Sequence, residues 1–329
     1  VDHNREVEKY PEHSNLVVSN KSYITLGGAV SNSGISLSRI DPTLAINVLG
    51  VIGDDADGKN ALNEFHKYPN IDCSQVYTGK QNTGFTDVIV DTTNHTRTFF
   101  TFGGANSELS PEHFDFNKMD SAILHVGYIL LLDTLDSPDA EFGTKMARVL
   151  FSAQQAGIKT SIDIVTEDSD RYKDIVPHAL KYTDYCIINE EEAARTVGIK
   201  VRGLDGVLDV KACRSVCEEL FKLGVGEWAV IHSREGGIGL NKKGEFTTKP
   251  SLKLNPKEIK GTTGAGDAFL SGVLYGAYKG YSLDDAISLG IASSNASILE
   301  EGPTAGIKAE NDLWEFYKSS EKENWPGFE

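Results

Sequence analysis

Residues 261–269 read Gly-Thr-Thr-Gly-Ala-Gly-Asp-Ala-Phe, GTTGAGDAF. From Phe269 onward apolar residues recur at helical spacing (Phe269, Leu270, Val273, Leu274, Ala277, Tyr278), and Gly280 ends the run. The stretch is therefore a glycine-rich turn feeding a helix. Gly264 and Gly266 let the backbone turn sharply and come close to a ligand. The amides they bring to the helix N-terminus, where the dipole favours negative charge, make an anion hole suited to a phosphoryl group. Asp267 sits in the first turn of the same helix. A carboxylate beside a phosphoryl group can take the proton from an attacking hydroxyl. A glycine turn with an N-capping aspartate has the same local sequence, so the choice between them depends on the rest of the chain.

Working outward, short apolar β-branched runs predict buried strands at 44–49, 122–126, 160–164, 185–188 and 228–231. Helical periodicity predicts helices at 141–156, 191–197, 210–223, 267–279 and 283–299. Strand then helix, repeated, specifies an α/β fold with a mostly parallel sheet covered on both faces. We read residues 1–329 as one domain. Two polar, alternating stretches, about 4–26 and 83–103, predict a small β lid, with a hairpin of 86–90 and 96–102 around Asp91-Thr92-Thr93-Asn94. Polar residues follow the strands: His125 and Gly127, Asp163, Asn189 and Glu192, His232 and Ser233. Ligands of open α/β sheets bind beyond the carboxyl ends of the strands, so the site belongs there.

The 48 acidic against 32 basic residues give a net charge of −16, which argues against nucleic acid and anionic membrane as partners. No run is long enough to span a bilayer and no signal peptide is visible, so the expected location is cytoplasmic. Cys213 and Cys217 lie four apart on a predicted helix and read as small buried residues on one face rather than as a redox or metal pair. GDDADGKN at 53–60 nearly spells a P-loop. However, Asn60 stands where a Ser or Thr should hold Mg²⁺, and three aspartates would repel phosphate. The eight histidines show no zinc-binding spacing.

Taken in order along the chain, the motifs resemble the ribokinase-like sugar kinases, the PfkB family. GTTGAGDAF resembles the family's second signature, and Gly27-Gly28-Ala29-Val30-Ser31-Asn32 its first glycine motif. Gly53-Asp54-Asp55 with Gly58, Gly104-Ala105-Asn106, and Asn189-Glu190-Glu191-Glu192 resemble further family segments. The resemblance implies a three-layer α/β/α ribokinase-like domain and transfer of the γ-phosphate of ATP to a hydroxyl of a small carbohydrate. It implies Asp267 as general base and the backbone of Thr263, Gly264, Ala265 and Gly266 as the anion hole. It implies that Asp2, Gly27, Gly28, Asn32 and Asn106 bind the acceptor, and that Asn189, Thr263, Gly264, Gly266 and Gly237 contact ATP. It implies Mg²⁺ near Glu192 and Asn189, held through water, and a homodimer through the lid.

The chain also departs from the family. Gly261 stands where relatives carry an aspartate that helps bind a monovalent cation, which leaves that cation undecided. Val1-Asp2-His3 resembles the end of the family's first strand, so the expectation is that the sequence omits most of a central strand. Ribose, fructose, 2-keto-3-deoxygluconate and nucleosides are all acceptors in the family. Few aromatic residues flank the motifs, which favours a sugar over a nucleobase. A nucleoside kinase, or an inactive sugar-binding regulator on the same fold, is the alternative.

Overall fold

The computed structural model describes residues 1–94, 96–167 and 169–328; His95, in the predicted hairpin, lies outside the described residues, as do Asp168 and Glu329. The chain opens with β1 (Asp2–Val7), β2 (Lys21–Thr25), α1 (Ala29–Ile40), β3 (Ile46–Ile52), α2 (Ala56–Phe65) and β4 (Ile71–Thr78). The predicted hairpin follows as β5 (Phe85–Asp91) and β6 (Thr96–Phe102). Next come β7 (Ile123–Ile129), α3 (Asp133–Asp136), the short pair β8 (Pro138–Asp139) and β9 (Gly143–Thr144), and α4 (Lys145–Gln155). Then come β10 (Lys159–Ile164), α5 (Tyr172–Leu180), β11 (Tyr185–Asn189), α6 (Glu190–Val197) and α7 (Val210–Leu223). The chain ends with β12 (Trp228–Ser233), β13 (Gly236–Asn241), β14 (Phe246–Pro250), α8 (Ala265–Lys279), α9 (Leu283–Ser297) and α10 (Glu310–Ser319).

The central sheet has the order β14-β13-β12-β11-β10-β7. Pairing is parallel from β7 to β12 and antiparallel at β13 and β14. The apolar residues of its inner strands point to both faces, as in a sheet covered on each side. Cys186 and Ile188 of β11 pack with α4, α5, α6 and α7 through Leu150, Val176, Ala193 and Leu220. Ile187 between them points the other way, into Phe269 and Val273 of α8 and Ile287 and Ile291 of α9. This gives the three layers. On α7, Cys213, Val216, Cys217 and Leu220 form one buried stripe, so the cysteines are core residues.

The smaller sheet has the order β2-β1-β5-β6, which matches the predicted lid segments. Asp2 to Val7 run between β2 and β5, and Thr86 N donates to Val1 O (2.8 Å), which holds this segment in the lid. Among the described residues β3 pairs with β4 alone, and an apolar cleft of about 440 Å³, lined by Val48, Ile123, Leu124 and Val126, lies between β3 and β7. The P-loop look-alike is a helix cap. Asp55 accepts from Gly58 N and Thr83 N, and Lys59 pairs with Asp54. Among the described residues no helix is long and apolar enough to cross a membrane.

Candidate active site

A cleft of about 1480 Å³ lies between the lid and the carboxyl ends of β10, β11 and β12. Its floor is the 261–267 turn. Gly264 caps α8 in the left-handed region at φ 77°. The amides of Thr263, Gly264, Gly266 and Asp267 have no hydrogen-bond partner among the described residues, whereas Ala265 N is used by Thr262 O at 3.3 Å. Of the turn expected to bind an anion, the amides of Thr263, Gly264 and Gly266 are thus free to do so, Asp267 N adds a fourth, and Ala265 N is already engaged. Gly266 lies over His232: a Cβ there would come within 3.1 Å of His232 Cε1. Burial pushes His232 down to about 4, so it is neutral.

Asp267 is 5% exposed. Its Oδ2 accepts from Asn32 Nδ2 (2.8 Å) and from the Tyr128 hydroxyl (2.8 Å); the same hydroxyl lies 3.1 Å from Oδ1. Burial pushes Asp267 up to about 6, and the two hydrogen bonds hold it from going higher. A base poised there is ionised near neutral pH yet retains proton affinity. Asn32 Oδ1 is buried with no partner.

Asp2 lies across the cleft from this group. A Cβ on Gly27 would fall 2.1 Å from Asp2 Oδ2, so only glycine lets the carboxylate sit there. Gly28, at φ 90°, caps α1 and aims Asn32 into the cleft. Asn106 packs beside Gly84 on the lid side. Asp2, Gly27, Gly28, Asn32 and Asn106 all line the same cleft.

At the end of β11, Asn189 caps α6: its Oδ1 accepts from Glu191 N and Glu192 N, both at 2.9 Å. Glu192 completes a capping box, accepting from Asn189 N (3.0 Å) and from the Thr166 hydroxyl (2.8 Å). It is buried, which pushes it up to about 7. Among the described residues no three His, Cys, Asp or Glu side chains converge as a metal cage. Such a donor set fits a hard cation that keeps its waters and leans on phosphate oxygens, which is how Mg²⁺ is commonly held.

Thr263, Gly264 and Gly266 line the cleft, but Gly237 does not. A Cβ on Gly237 would lie 2.6 Å from Ile287 Cγ2 and 2.9 Å from Phe269 Cζ, so this glycine serves the contact between sheet and helices. Three side chains not assigned from the sequence also reach the cleft. Tyr128 donates its hydroxyl to Asp267. Asp163, at the end of β10, is buried, and burial together with the charges of Glu192 and Asp267 pushes it up. Arg97 of the lid donates to the Thr263 hydroxyl. The expectation of few aromatic neighbours is corrected: Phe85, Phe99 and Phe102 of the lid line the cleft.

A model described as pfkB family carbohydrate kinase matches residues 1–310. The nucleoside kinase of Methanocaldococcus jannaschii is 22% identical over 92% of this chain and 88% of its own length. The adenosine kinase of Saccharomyces cerevisiae is 26% identical over 85% of this chain and 80% of its own. The solved structure of Arabidopsis thaliana ribokinase complexed with ribose and ATP superposes with a TM-score of 0.76 at 16% identity, covering 96% of this chain and 95% of that one.

Proposed function

The chain belongs to the pfkB family of carbohydrate kinases, and on that premise we propose that it transfers the γ-phosphate of ATP to a hydroxyl of a small carbohydrate, with Asp267 as the general base. One observation carries the reading: a buried carboxylate, pushed up to about 6, stands in the first turn of α8 beside the free amides of Gly264 and Gly266. The acceptor lies between Asp2, Asn32 and the lid. Asp267 takes the proton of the attacking hydroxyl, and the amides of the turn stabilise the charge that spreads over the phosphoryl oxygens. Mg²⁺ at Glu192 and Asn189, when bound, neutralises phosphate charge in an otherwise acidic cleft. The lid excludes water from the transfer.

A nucleoside acceptor is the second reading. It is favoured by Phe85, Phe99 and Phe102 on the lid wall, which can stack a base. Coupled ADP release with MgATP against sugars, sugar acids and nucleosides separates the two. Turnover with one acceptor should fall by about 10²–10⁴ in Asp267→Asn, the range for loss of a general base, while the circular-dichroism spectrum is unchanged. A near-normal kcat in that variant sinks the assignment of the base.

A further inference from the structure

We propose that Tyr128 is a positioning residue for the base: with Asn32 it fills Asp267 Oδ2 and leaves Oδ1 as the oxygen that receives the acceptor's proton. A carboxylate oxygen offers two lone-pair directions. At Oδ2 both are used, by Asn32 Nδ2 and the Tyr128 hydroxyl, each at 2.8 Å. At Oδ1 the only donor among the described residues is the same Tyr128 hydroxyl, at a longer 3.1 Å. An incoming hydroxyl therefore displaces nothing strong at Oδ1, whereas at Oδ2 it would have to displace a full hydrogen bond. The two clamping groups come from separate elements, α1 and the end of β7. They approach the carboxylate along different paths, which fixes its plane relative to the anion hole.

The phenol itself is not a competing base. Burial, and then the charge of Asp267, push its ionisation well up, so it remains a donor at any working pH. The other acidic groups near Asp267 are Asp2 from β1 and Asp163 from β10, the latter buried and pushed well up; His232 beneath Gly266 is neutral. Thus Asn32 and Tyr128 are the two groups that favour the ionised carboxylate, and burial and Asp2 oppose it. This gives the positioning role a signature that simple space-filling lacks.

The test is Tyr128→Phe, which keeps the ring and removes the hydroxyl. Two measurements are needed, because the inference rests on Asp267 being the base. The first follows the Asp267 carboxyl by ¹³C NMR in the resting protein as pH is raised. Its midpoint should move up by about one pH unit, tenfold in the ionisation constant, as expected for losing a hydrogen bond to a charged group. An unmoved midpoint overturns the inference whatever the reaction is. The second is the pH profile of kcat/KM with the acceptor found above. Its acidic limb should move upward by the same amount, with the loss concentrated below neutral pH and in kcat rather than KM. A limb that stays in place while the rate falls equally at every pH gives Tyr128 a merely structural role. A carboxyl midpoint that moves while the rate limb does not shows that Tyr128 holds Asp267 but that Asp267 is not the base; that result rejects the proposed role of Asp267 and with it the assignment of Oδ1.

Discussion

Gly264 illustrates what a single residue does here. At φ 77° it occupies backbone space that side chains avoid, and a Cβ would fall 2.5 Å from that of Pro303. Both effects act on the turn that exposes the anion-binding amides. Gly264→Ala should cost about 1–3 kcal/mol, read from the urea midpoint, and should lower kcat as the turn shifts. This residue, like Asp267, was legible in the sequence because its chemistry is local: turn, helix start and carboxylate lie within four positions. Tyr128 was not legible. Its hydroxyl meets Asp267 across 139 positions, and nothing in the sequence around it distinguishes it from an apolar strand residue. Gly237 went the other way. Its motif suggested a nucleotide contact, but the side chains of Phe269 and Ile287 require a glycine there.

At the level of elements, α6 shows one motif serving two purposes. Asn189 and Glu192 form a capping box that starts the helix, and the same spacing places them at the cleft. Asn189→Ala should destabilise the protein by about 1 kcal/mol, the usual cost of a lost N-cap. It should also weaken nucleotide binding measured by calorimetry; a loss of stability with unchanged nucleotide affinity would leave Asn189 a cap alone. Element boundaries were legible where caps are strong. Asp209 and Gly224 delimit α7 at Val210–Leu223, as predicted. They were less so where pairing intervenes. The predicted helix at 141–156 begins at Lys145, because Pro138–Asp139 pairs with Gly143–Thr144 and the Thr144 hydroxyl then accepts from Ala147 N. Apolar runs revealed the parallel strands but not which of them pair, since partners depend on which edges meet in space.

For the whole molecule, the cleft concentrates acids that resist ionisation. Asp267 is pushed up to about 6 and Glu192 to about 7. In the unfolded chain both release their protons near pH 4, so between about pH 4 and 7 the unfolded state binds fewer protons and stability contributed by these groups falls as pH rises. Asp91 and Glu235, held near 2 by their hydrogen bonds and, for Glu235, Arg202, act oppositely: their contribution is present above about pH 4 and is lost as pH falls towards 2. Thermal midpoints of the ligand-free protein should therefore peak in mildly acidic solution, and Asp267→Asn should flatten the decline between pH 4 and 6; an unchanged slope would mean that Asp267 titrates normally. The lid has a consequence of another kind. Its parallel pair joins β1 to β5, and Val1 meets Gly84 across 83 positions. Closing so long a loop is entropically costly until the intervening chain has folded. The shelter over the cleft thus depends on strands far apart in the chain, and it is lost if either strand of that pair comes away.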